Sequence, residues 1–150
     1  MKRLSLEEQT SMLISSWRAI DELYVQYAKS VGLTYLGLIV LETIYNMPKV
    51  CTQKEICEKT NLPKQTVNVI IRTFWEQGFL ELHEIHSDRR NKEIRFSKSG
   101  EKFGDRVIGE LLKVEKKVME QLTYEQRQDM IDLMKKAELS FKEIIQKNTL

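Results

Sequence analysis

Apolar residues recur every three or four positions along most of this chain and every second position in one short stretch. Leu13, Trp17, Ile20, Tyr24, Tyr27 and Val31 draw one stripe, which predicts a helix over 5–30. Gly32 follows, suited to a left-handed helix end. A second helix is predicted over 34–46. Leu36, Leu38, Ile39, Val40, Leu41 and Ile44 make it apolar almost all round, so it is expected at the buried centre, and Met47-Pro48 stops it. A short helix over 52–59 comes next. After the break at Asn61-Leu62-Pro63 another helix runs to Gly78, with Pro63 suited to its first position. Val67, Ile70, Ile71 and Phe74 form its inner face; Lys64, Gln65, Asn68 and Arg72 lie opposite.

Beyond Gly78 the period falls to two. Leu80 and Leu82 alternate with Glu81 and His83, a polar turn spans 87–91, and Ile94 and Phe96 alternate with Arg95 and Ser97. This predicts a β-hairpin with a charged tip, and Ile85, out of step, predicts a bulge or twist. Helical spacing returns after Ser97. Phe103, Val107, Leu111, Val114, Val118 and Leu122 form one stripe, and Met130, Met134, Ala137, Phe141 and Ile144 another. Gly104 and Gly109 weaken the first of these helices and mark either close packing or a bend. Ser5-x-x-Glu8, Thr52-x-x-Glu55 and Thr123-x-x-Gln126 each read as a capping box at a helix start. The fold class is therefore mainly α, with a helix-turn-helix followed by a hairpin.

The 150 residues suffice for one core, or one core plus a dimer interface. Helices 5–30, 100–122 and 124–147 carry more apolar stripe than one small core needs, which favours a partner chain. The net charge of +2 decides nothing by itself; the placement of the basic residues does. No apolar signal core follows the basic N-terminal residues and no apolar run is long enough to span a bilayer, so a cytoplasmic location without membrane attachment is expected. No glycine-rich phosphate loop, nucleophile elbow or paired histidines at metal spacing is found. Neither an enzyme, nor a cofactor, nor a metal site is expected.

Two short helices joined by a tight break place the second in the major groove of DNA. Gln65 and Asn68 can donate and accept at once, which suits paired contact with adenine. Lys64 and Arg72 suit phosphates, and Thr66 offers a hydroxyl or a methyl group. In the hairpin, Arg89 and Arg90 are flanked by Lys92 and Arg95, against Asp88 and Glu93. Arginines on a rigid finger suit the narrow minor groove, with Asp88 orienting one guanidinium.

Residues 52–78 resemble the reading head of MarR-type transcriptional regulators. Asp88-Arg89-Arg90 matches that family's Asp-x-Arg wing signature, and Ser97-Lys98-Ser99-Gly100 resembles its Leu-Thr-x-x-Gly exit, with Phe96 and Ser97 in place of the usual pair. The likeness extends more weakly over the whole chain. It implies a single domain over 1–150, in which 5–32 and 100–147 are dimerisation helices and 34–98 is the winged helix-turn-helix. It also implies a homodimer on a pseudo-palindromic operator, more often a repressor, and a small-molecule effector. Asp88 carries over as the orienting acid and Arg90 as the minor-groove arginine. Val69 departs from the basic or polar residue of many relatives, so contacts near it are expected to be fewer or apolar.

Other readings compete. A winged helix can serve as a protein-interaction module without reading DNA. Cys51, just before a helix start, is a candidate redox site because the helix dipole lowers a thiol pKa there. Cys57 is expected to be a small core residue. His83 and His86, three apart on a strand, point to opposite faces and do not share an ion. Trp17, Tyr24, Tyr27 and Tyr35 either line an effector pocket or fill the core.

Overall fold

The computed structural model describes residues 3–48, 50–85 and 88–148, with backbone alone at 88–91. The chain divides into two compact units, 1–108 and 109–150. In the first unit, α1 (Leu6–Ser30) and α2 (Tyr35–Asn46) precede the short strand β1 (Cys51–Thr52). Helices α3 (Gln53–Thr60) and α4 (Lys64–Glu76) follow, then strands β2 (Leu80–Ile85) and β3 (Asp88–Phe96), α5 (Lys98–Gly104) and a π-helical turn at Asp105–Gly109. The second unit holds α6 (Glu110–Glu120) and α7 (Tyr124–Asn148). Among the described residues, no helix is long and apolar enough to cross a membrane.

Local chemistry sets most boundaries. All three capping boxes form. Ser5 Oγ accepts from the Glu8 amide at 3.2 Å and Glu8 accepts from the Ser5 amide at 2.7 Å. Thr52 with Glu55 and Thr123 with Gln126 repeat the exchange. Gly32 at φ +79° and Gly78 at φ +76° adopt the left-handed region that closes helices. Asn61 does the same after α3 at φ 55°, a conformation asparagine tolerates better than most residues. Pro63 sits one place earlier than expected, just before α4.

The core of the first unit is built around α2, whose Leu38, Val40, Leu41 and Ile44 are buried. Ile56 of α3, Val67, Ile71 and Phe74 of α4, and Leu80 and Ile94 of the strands close on it. Phe103, Val107 and Ile108 complete it, and the Tyr27 hydroxyl donates to the Val107 carbonyl at 2.6 Å. Ile70 is only half-buried.

The sheet has three strands in the order β1-β3-β2, all antiparallel. The period-two pattern predicts only the two strands of the hairpin. Two residues are too few for a period to register, and β1 exists only because Cys51 and Thr52 pair with Ile94 and Glu93. The irregularity expected at Ile85 is present. Glu84 pairs with Lys92 but Ile85 pairs with Asp88, so Arg89, Arg90 and Asn91 are extra residues on the β3 side. These residues and Asp88 therefore belong to β3 rather than to the turn predicted over 87–91.

The glycines of the exit helix divide by role. A side chain at Gly104 would come within 2.9 Å of the Tyr45 ring, so close packing explains it. Gly109 ends the π turn that divides the helix foreseen over 100–122.

Candidate nucleic-acid interface

Helix α4 owes its orientation to its inner face. Val67, Ile71 and Phe74 are buried, which turns Gln65, Asn68, Val69 and Arg72 to solvent. Thr66 is half-buried and lies on the flank. The first turn of α4 has no side-chain cap. Its leading amides therefore have no side-chain acceptor from the N-cap, and Lys64 opens the helix, a combination that favours an anion. The Gln53 amide donates to the Lys64 carbonyl at 3.0 Å and ties the starts of α3 and α4 together.

Between α3, α4 and the wing lies a cleft of about 450 Å³. Lys54, Lys64 and Lys92 line it together with Asn68, over a floor that includes Ile71 and Leu82. No carboxylate is among its described lining residues. Lys54 Nζ also lies 3.8 Å from Glu58 Oε1, so part of its charge is met within α3, while Lys64 and Lys92 add positive charge that favours a phosphate. Lys64, Asn68 and Lys92 were singled out from sequence, and the fold brings them together. Gln53 and Lys54 were missed. The only signal for them was the Thr52 capping box, which places both in the first turn of α3.

Arg72 lines an adjoining concavity with Asn68 and Lys92, and Gln65 lines another with Lys64 and Asn68. Arg72 Nε donates to Glu76 Oε1 at 2.8 Å. In the wing, Arg95 pairs with Glu93 at 2.6 Å. Asp88, Arg89 and Arg90 are placed by backbone alone, at the start of β3 beside Lys92. His83 Nε2 lies 3.2 Å from Glu81 of the same strand, and His86 lies outside the described residues.

Both cysteines require correction. Cys51 is buried, with its thiol 3.8 Å from the Ile94 carbonyl. Burial, then the nearby Glu55 charge, pushes the thiol up to about 11. This is opposite to the lowering expected at a helix start, because β1 pairs with β3 and takes Cys51 out of water. Cys51 is thus a poor redox site. Cys57, foreseen as core, is half-buried and lines the lysine cleft, while Ile56 takes the inner position. Among the described residues, no group of three or more metal-ligating side chains is found.

Residues 31–91, from the end of α1 into the wing, match the family model for the MarR family. Over that stretch the chain is similar to the MarR family, and the elements there form a winged helix-turn-helix. The MarR fold extends well beyond that segment. NMB1585, a MarR family regulator from Neisseria meningitidis, superposes with a TM-score of 0.77 at 24% identity, over 93% of this chain and 98% of that one. MepR of Staphylococcus aureus, solved in complex with DNA, gives 0.73 at 19% identity over 92% and 99%. MarR of Staphylococcus aureus, solved with salicylate and kanamycin, gives 0.72 at 17% identity over 91% and 92%. At these identities the likeness establishes the fold, in which two short helices are followed by a three-stranded wing.

Proposed function

We propose that this protein is a non-enzymatic transcriptional regulator that binds double-stranded DNA in a sequence-specific manner. One observation carries the reading. The polar face of α4 and the basic edge of the wing meet at a cleft lined by Lys54, Lys64, Asn68 and Lys92. In the proposed complex α4 enters the major groove. Gln65 and Asn68 read base edges, and Lys64, Lys92 and the uncapped α4 terminus hold phosphates. Thr66 contributes from the flank. Arg72 holds a phosphate with its guanidinium steadied by Glu76. Arg89 and Arg90 reach the minor groove, oriented by Asp88. The DNA complex of the MepR neighbour supports this reading.

The protein is proposed to act as a homodimeric repressor on a pseudo-palindrome. Support comes from apolar side chains left in water by the single chain. Leu13, Ile20 and Leu23 of α1 are exposed, as are Val114 and Val118 of α6 and Leu133, Leu139 and Ile144 of α7. Helix α7 has no buried residue at all, so a second copy of this chain is the covering expected. Release by a small-molecule effector is proposed on the precedent of the salicylate-bound neighbour.

The test is selection from a random duplex library, followed by binding to the enriched site across a salt series. An enriched inverted repeat, with affinity falling steeply as salt rises, supports the reading. On that site Arg90→Ala should weaken binding at least tenfold, on the order of a lost charged contact. Absence of any enriched sequence sinks the proposal and favours a protein-interaction module.

A further inference from the structure

The outward face of α4 is not uniformly polar. Val69 stands there with 59% of its surface exposed, although the helix already has a complete inner face in Val67, Ile71 and Phe74. It is flanked four residues back by Gln65 and three residues on by Arg72, both exposed. At those spacings the three side chains form one row along the helix. A β-branched side chain loses rotamer freedom in a helix and gains nothing from water, so local stability does not favour valine here. The Thr73 hydroxyl donates to the Val69 carbonyl at 3.0 Å, which ties up the backbone at this point and leaves the two methyl groups as what Val69 presents.

We infer that Val69 is a specificity-determining residue that packs against the 5-methyl group of a thymine in the major groove, between the bases or phosphates met by Gln65 and Arg72. Thymine is the one base that offers an apolar group on the major-groove edge. An apolar side chain centred between two hydrogen-bonding ones cannot satisfy the amino or carbonyl groups of the other bases. It therefore rejects them by desolvation as well as selecting the methyl. This inference rests on the DNA-reading function proposed above and assigns one position of the half-site.

The experiment uses the full-length protein and the duplex enriched by library selection. Each thymine of the half-site is replaced in turn by deoxyuridine, which removes only the methyl group, and binding is measured for the native protein and for Val69→Ala. One replacement should weaken native binding by roughly fourfold, the value of one buried methyl-sized group. Val69→Ala should bind the thymine site more weakly by a similar factor and show little further loss with deoxyuridine, so the two changes are not additive. Val69 is exposed and alanine favours helix, so the variant folds. If deoxyuridine costs nothing at every position, or if Val69→Ala is as sensitive to it as the native protein, the inference is overturned while the regulator reading stands. If no sequence is enriched at all, the regulator reading fails and this inference with it.

Discussion

Replacing Gly100 by alanine drives a methyl group into the joint between the wing and the helix that follows it. The added carbon would overlap the Phe79 carbonyl oxygen, and it would lie 2.8 Å from the carbonyl carbon and 2.9 Å from Phe96 Cδ1. The obstacle is backbone, so no side-chain rotation relieves it. That same Phe79 carbonyl accepts the Ser97 amide at 3.0 Å. The Ser97 hydroxyl in turn caps α5 through the Gly100 amide at 3.0 Å and lies 2.5 Å from the Gly78 carbonyl. Moving Phe79 therefore strains the overpacked site, about 1–3 kcal/mol, and weakens a backbone hydrogen bond worth about 1 kcal/mol. Alanine recovers up to about 1 kcal/mol of helix preference. The net cost is about 1–4 kcal/mol, or a fall on the order of 1 M in the urea midpoint at an unchanged slope. Unfolding followed by far-ultraviolet circular dichroism measures it. Gly32→Ala is the comparison: nothing lies within 4 Å of the added carbon, so only the positive φ is penalised, by about 1 kcal/mol. A midpoint for Gly100→Ala equal to that of the native protein, or above it, would refute the argument that this contact locks the wing root.

Further outcomes can be checked in the same preparations. At about pH 8 a thiol reagent should modify Cys57 quickly and Cys51 only on unfolding, because burial holds the Cys51 thiol neutral; rapid labelling of both sinks that assignment. Since the folded value of Cys51 lies above its ordinary 9.0, its contribution to stability is present below that pH and is lost as pH rises towards about 11. The urea midpoint should fall across this window, and less steeply in Cys51→Ala. Thr52→Ala removes one capping box and should cost about 1 kcal/mol of stability, read as a lower thermal midpoint. If the proposed homodimer forms through α7, Leu133→Asp, at a position 65% exposed in the single chain, should leave helix content intact and halve the mass in sedimentation; an unchanged mass would remove α7 from the proposed interface.

The chain's own pattern determined what depends on neighbours in sequence. Three capping boxes, the left-handed glycines at 32 and 78, the break before Pro63 and the outward row of Gln65, Asn68 and Arg72 are all local, because hydroxyl, carboxylate and amide meet within one turn. The change of period after Gly78 announced the wing, and the misfit of Ile85 announced its irregularity. Tertiary structure decided what depends on distant partners. Strand β1 has too few residues to show a period and exists by pairing with β3. That pairing buries Cys51 and reverses the pKa shift its position at a helix start suggested. The cleft follows the same logic: Lys54, Lys64 and Lys92 belong to three elements, and only the packing of α3, α4 and the wing brings their charges to one concavity. Short-range hydrogen bonding and periodicity can be read from a string of residues; burial and convergent charge cannot, because both are properties of what lies on the other side.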